Sequence, residues 1–423
     1  MDNYIARQPI LGNNGNVVGY ELLYYQDSGI TFHAHDSNTA QAIVQFFNQL
    51  DEASFLDGKD AFLTFTPNLL MQNIPRVFDP QKLVIQIEDN VLIHPVARMM
   101  LQRYKKQGYR LALIGFQFNS RYMDILPMMD ILRINFKNIT SDNLDTYRSV
   151  ANEFKLKLAA YNVDDLDTRS VAEKAGVDYI QGKAVAEIAK AKAQKTPQHL
   201  KSNFFNLMAA VTREQPDLDE IAHLISMDVT LTFSLLKMVN SSYFSLPNRV
   251  KDIKQALTIL GLGQLRQWIY LLSFGGDNEV TDELIKTSFQ RAIFCQNLSE
   301  NISEFPLAFS EAYMLGMFSI LDQLLDVPMQ DALSSLPISE DLKKGLISQE
   351  GACGTMYLLT IAYEQGEWHK VNKYAEELNL PLDIIAQQYL EAISYVNHTW
   401  NNLMEPFDSN NPAPTNMPPL RHK

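Results

Sequence analysis

Residues 5–25, IARQPILGNNGNVVGYELLYY, decide the fold. Apolar and polar residues alternate on both sides of Asn13-Asn14-Gly15-Asn16, the pattern of two strands joined by a turn. Glu21 is the only carboxylate of this run and is followed by Leu22-Leu23. It stands near the end of the second strand, and strand ends are where an α/β barrel keeps its chemistry.

Strand and helix signals alternate outward from this stretch. A helical stripe of Ala40, Ile43, Val44, Phe47 and Leu50 predicts a helix over 37–50. Strands are predicted over 61–66, 83–87, 110–116, 131–136, 156–161 and 178–181, with helices over 95–107, 143–154 and 165–175. Seven or eight strands with crossover helices point to a TIM-like barrel over 1–194. A doubly wound sheet is the rival, but no strand leads into a Gly-rich phosphate turn. Beyond Lys195-Thr196-Pro197 the strand signals stop, which predicts an all-α domain over 195–404. Its helices read over 228–242, 252–260, 281–301, 310–325, 354–363 and 382–396. Residues 405–423 hold five prolines and little apolar material, so a disordered tail is expected there.

Composition narrows the function classes. The 423 residues carry a formal charge of −13, with no Lys/Arg run beyond Lys105-Lys106 and Lys343-Lys344, which argues against a nucleic-acid partner. Two cysteines, Cys295 and Cys353, form no metal motif and suit a reducing cytoplasm. MDNYIARQPI lacks the features of a signal peptide, and no apolar run approaches the ~20 residues needed to span a bilayer. A soluble, cytoplasmic protein without a membrane partner is expected.

ARQPI followed by GYELL resembles the opening of the bacterial EAL–HDOD signalling proteins. The later runs DVTLTFSLLKMVNSSYF, QALTILGLGQLRQW, EAYMLGMFSILDQLLDVPM and IAYEQGEW resemble the HDOD part in the same order, so the likeness covers about residues 4–400. It implies a barrel descended from cyclic di-GMP phosphodiesterases, followed by a helical domain related to the HD phosphohydrolases.

The resemblance also says where metal-dependent hydrolysis would have its residues. The first-motif acid is matched by Glu21. The next strand's Asn falls on Thr64, the third strand's Glu on Gln86, and its second acid loosely on Asp89. The Asp pair falls on Ile114-Gly115, the catalytic Lys on Arg133, the following Asp on Asn135, and the sixth-motif Glu on Tyr161. Gln181 stands unchanged, and Tyr25 replaces an Arg that holds the dinucleotide phosphates. Divalent metals want several converging carboxylates, so no metal, cofactor or catalytic set is expected, and Glu21, Gln86, Arg133 and Gln181 are vestigial positions. In the helical half, Ser319 and Ile320 stand where a metal-binding His-Asp pair would be.

The remaining candidates read as structure. His35-Asp36 is a polar loop, Asp228 a helix cap close to His223, and His94 and His369 lack ligands at metal spacing. Glu88 and Asp89 point to opposite faces of a strand, while Met314, Met317 and Phe318 read as core. Asn240, Tyr243 and Phe244 form a helix end that could turn the chain or dock a partner. The expected function is that of a catalytically inactive regulator working through protein–protein interaction near cyclic di-GMP signalling, with motility, biofilm or surface behaviour as output. The alternatives are a cyclic di-GMP receptor without turnover, using Glu21, Arg133 and Gln181, or an active phosphodiesterase. Signalling proteins are the partners expected, with weak cyclic di-GMP binding and a homodimer as further options.

Overall fold

The computed structural model describes residues 4–13, 15–25, 43–44, 55–116, 122–182, 207, 210–213, 215–226, 232, 235–236, 238–240, 250, 252–274, 279–322, 327–334 and 338–404. The chain divides into two compact units, one made of residues 1–191 with 358–394 and the other of 192–357 with 395–423. The sequence pattern draws a single helical domain over 195–404. Residues 358–394 instead group with the barrel.

Eight strands close the barrel: β1 (Tyr4–Gly12), β2 (Val17–Tyr25), β3 (Asp60–Thr64), β4 (Leu83–Ile87), β5 (Arg110–Ile114), β6 (Ile131–Asn135), β7 (Lys157–Tyr161) and β8 (Tyr179–Ile180). They follow chain order around the ring, parallel except for β1, which runs antiparallel to both β2 and β8. The expected hairpin turn is present: Gly15 takes φ 91° and donates its N–H to the Gly12 carbonyl at 2.9 Å. Two strands end two residues earlier than periodicity suggests, for local reasons. After β3, Thr66 caps helix α1 (Pro67–Met71) by accepting from the Leu69 N–H at 3.3 Å, with Pro67 in the first turn. After β5, Gly115 turns the chain at φ 70°. The crossovers include helices α2 (Pro95–Lys106), α3 (Ser141–Phe154) and α4 (Leu166–Lys174), within three residues of the expected bounds. Most of the helix expected over 37–50 lies outside the described residues, as does the tail from 405.

One apolar layer fills the middle of the barrel: Ile10, Phe62, Val84, Ala112, Ile131 and Ala159, from six different strands. Gly19 of β2 makes room for it, since a Cβ there would lie 2.7 Å from the Phe62 ring and from the Asp60 carbonyl.

Helices build the second unit. They include α5 (Leu218–Ser226), α6 (Ile253–Phe274), α7 (Glu279–Ser299), α8 (Phe309–Met317) and α9 (Glu340–Ile347). The helix expected over 252–260 ends where the sequence suggests, at Gly261, whose φ of 72° and ψ of 158° are not helical, and a second helical segment follows directly within α6. Helices α7 and α8 touch backbone to backbone, because a Cβ on Gly316 would fall 2.2 Å from the Arg291 carbonyl. Ser319 and Ile320 lie buried in a 3-10 turn after α8, where Arg291 donates to Ser319 Oγ at 3.2 Å. Met314, Met317 and Phe318 are core residues.

The last three helices are α10 (Gly351–Glu364), α11 (Trp368–Glu377) and α12 (Leu382–Met404). Within residues 358–394, Tyr363, Trp368 and Tyr389 pack their rings together. This cluster meets the opening hairpin: the Arg7 N–H donates to the Tyr389 hydroxyl at 3.4 Å, and a Cβ on Gly366 would lie 2.7 Å from Leu23. No helix among the described residues is long and apolar enough to cross a membrane.

Candidate functional site at the barrel mouth

Side chains on a strand return to the same face every second residue. Two residues beyond the apolar layer, toward the C-terminal ends of the parallel strands, stand Thr64, Gln86, Ile114, Arg133 and Tyr161. Glu21 follows Gly19 by the same step, and Gln181 follows Tyr179. Antiparallel β1 contributes Gln8, two residues before Ile10 and directly opposite Glu21 in the hairpin register. Period and register thus assemble one polar layer from positions spread over more than 170 residues.

This layer is a closed network around Arg133, which is 3% exposed. One guanidinium nitrogen donates to Glu21 Oε1 at 2.7 Å and to the Gln86 amide oxygen, the other to Glu21 Oε2 at 3.3 Å and to the Gln181 amide oxygen. With both amide oxygens facing the guanidinium, both amide nitrogens face the carboxylate. Gln86 Nε2 reaches Glu21 Oε1 at 2.9 Å and Gln181 Nε2 reaches Glu21 Oε2 at 2.7 Å. Gln86 also approaches Thr64 Oγ1 at 3.4 Å, and Gln181 donates to Gln8 Oε1 at 3.1 Å. The guanidinium lies 5.3 Å from the centre of the Tyr161 ring.

The electrostatics follow from this arrangement. Burial pushes the Glu21 carboxyl upward, but the Arg133 charge and the hydrogen bonds from Arg133, Gln86 and Gln181 outweigh it and hold the group below its ordinary value. Glu21 therefore stays ionised, and its charge is met by a cation from the chain itself. A divalent metal needs several hard oxygen donors turned toward one point. Here one carboxylate and two amide oxygens are turned toward a guanidinium, which would repel a second cation. The donor set does not fit a metal. Among the described residues no three His, Cys, Asp or Glu side chains are grouped at metal-binding distance.

The structure brings together Glu21, Gln86, Arg133 and Gln181, as the sequence positions imply. Gln8 is the member that sequence reasoning misses, although its place opposite Glu21 in a two-strand hairpin was available as a signal. Asn135 stands apart, accepting from Lys137 N–H and Asn162 Nδ2 at 3.0 Å each. In the second unit, Asn240 uses its amide on the backbone. It donates to the carbonyls of Leu236 and Val250 at 2.7 and 2.8 Å and accepts from the Val250 N–H at 2.7 Å. That side chain bridges the backbone of residues 236 and 250. Tyr243, Phe244, Asp228, His35 and Asp36 lie outside the described residues, and so does the side chain of Tyr25.

Residues 198–334 match the HDOD domain. The whole chain is similar to the uncharacterized protein YuxH of Bacillus subtilis, 28% identical over 417 residues that cover 95% of this chain and 99% of that protein. It is also similar to the cyclic di-GMP phosphodiesterase CdgJ of Vibrio cholerae, 27% identical over 397 residues, 92% of this chain and 91% of the other. Among solved structures, the PaMucR phosphodiesterase in complex with c-di-GMP is 15% identical with a TM-score of 0.37, over 43% of this chain and 89% of that one.

Proposed function

We propose that this chain is a bacterial signalling regulator with a degenerate EAL-like barrel and an HDOD domain. It works in the cytoplasm through contacts with other signalling proteins and does not hydrolyse cyclic di-GMP. The observation that carries this reading is the placement of Arg133: its guanidinium faces Glu21, Gln86 and Gln181, so the layer's only carboxylate already has its countercharge. The likeness to a protein named a cyclic di-GMP phosphodiesterase supports a setting in or near that pathway, with motility or biofilm behaviour as output.

That same likeness favours a second reading, a receptor that binds cyclic di-GMP without cutting it. Against it stands the charge of the polar layer: among its described residues the cation is Arg133, which is buried and committed to four acceptors. A dianionic dinucleotide needs charged donors that it can reach.

Incubation of the purified chain with cyclic di-GMP and Mg²⁺ or Mn²⁺ tests both readings. The expected result is no linear product above buffer and no micromolar binding by calorimetry. Product that disappears in Glu21→Gln would overturn the regulator reading in favour of an enzyme. Binding without product, lost in Arg133→Ala, would favour the receptor.

A further inference from the structure

Helix α2, PVARMMLQRYKK, differs from the rest of this acidic chain. It carries Arg98, Arg103, Lys105 and Lys106 and no acidic residue, whereas the full sequence has 49 Asp and Glu against 36 Lys and Arg. Ala97, Leu101 and Tyr104 bury its inner face. On the outer face, Ile93 just before the helix, then Val96, Met99, Arg103 and Lys106 follow at intervals of three or four, which makes one continuous stripe. Ile93 and Met99 are 72% and 61% exposed, the two highest values among the described large hydrophobic residues, and Val96 is 45% exposed. The stripe is apolar at its N-terminal half and cationic at its C-terminal half.

We infer that this stripe of α2 is a docking surface for an acidic, amphipathic helical segment of a signalling partner. Apolar side chains of the segment would cover Ile93, Val96 and Met99, and its carboxylates would face Arg103 and Lys106. The two other classes of occupant fit less well. An isologous contact with a second copy would set this cationic half against itself in a parallel pairing or against the partner's apolar half in an antiparallel one, and neither supplies a countercharge. A membrane surface would meet three aliphatic side chains and no exposed aromatic one, where interfacial helices present a broad apolar face. The inference rests on the reading that the chain acts through protein contacts. Its test does not involve turnover, so activity in a hydrolysis assay would overturn that reading and leave this surface standing.

The test uses the full-length protein and two fluorescent amphipathic helical peptides that share a leucine face, one flanked by Glu and the other by Lys. Anisotropy should show the Glu peptide binding about tenfold or more tightly than the Lys peptide, with affinity falling as salt rises. Met99→Asp and Arg103→Glu should each weaken the Glu peptide about tenfold, while Met99→Leu should bind like the parent. Both positions are on the exposed face, and unchanged circular-dichroism melts would show the variants folded. No binding of the Glu peptide, equal binding of the two peptides, or unaltered affinity in folded Met99→Asp would overturn the proposal. A dimer in sedimentation that Met99→Asp disperses would reassign the stripe to a second copy. Met99-dependent co-sedimentation with phosphatidylglycerol vesicles would reassign it to a membrane.

Discussion

Replacing Arg133 by Met should expose how much of the barrel depends on its polar layer. The substitution keeps the length of the side chain and removes the only cation facing Glu21. The carboxylate, with a side chain 16% exposed, would keep the two amide donors and lose its countercharge. Breaking a buried pair on one side costs about 3–5 kcal/mol, because an uncompensated charge stays behind. For a unit of this size that corresponds to a loss of ~6–20 °C in the melting temperature of the barrel transition. The pH dependence gives an independent sign. In the parent protein the folded Glu21 titrates below its ordinary value, so its contribution is present above that value and is lost as pH falls through the folded pKa. In Arg133→Met burial, the largest single influence on the carboxyl, is opposed only by the two amide hydrogen bonds and raises its folded pKa, so the variant's deficit should shrink as pH falls from neutral. Adding Glu21→Gln to Arg133→Met should recover about 1–3 kcal/mol, the coupling expected of groups in one network. Calorimetric or circular-dichroism melts of the parent, Arg133→Met, Glu21→Gln and the double variant would measure this. An Arg133→Met protein within ~1 kcal/mol of the parent at neutral pH, with no recovery in the double variant, would refute the reasoning.

Two further outcomes are expected. Gly19→Val should destabilise the barrel by about 1–3 kcal/mol in thermal or urea unfolding, since its Cβ would lie 2.7 Å from the Phe62 ring and from the Asp60 carbonyl. In cells, Phe244→Ala should impair output more than Glu21→Ala when both are folded and normally expressed, because the HDOD half keeps longer motif runs than the barrel mouth does. Loss of phenotype with Glu21→Ala alone would place the signal input in the barrel.

The barrel was legible because its strands are short, apolar and bounded by Gly, Pro or cap residues, and period two then fixes which residues face inward. The opening hairpin could be read from its Asn/Gly turn. Helices α5, α9 and α11 were missed although each carries amphipathic spacing. Asp217, which accepts from the N–H groups of Asp219 and Glu220, was an available signal for α5. Grouping of residues 358–394 with the barrel had no local signal, since it depends on meetings such as Arg7 with Tyr389 across 382 positions. Within the site, sequence positions named Glu21, Gln86, Arg133 and Gln181 but not their mutual bonding. An arginine in place of a lysine reads as a conservative change until its planar fork is seen reaching a carboxylate and two amides at once.

Manganese binding tests most directly the claim that this guanidinium stands where a metal would be needed. Electron paramagnetic resonance of Mn²⁺ titrated with the full-length protein reports free and bound ion without any substrate. The account predicts that the signal of free Mn²⁺ stays undiminished at micromolar protein, and equally so for Glu21→Gln. Stoichiometric, micromolar Mn²⁺ binding by the parent protein that Glu21→Gln abolishes would contradict it.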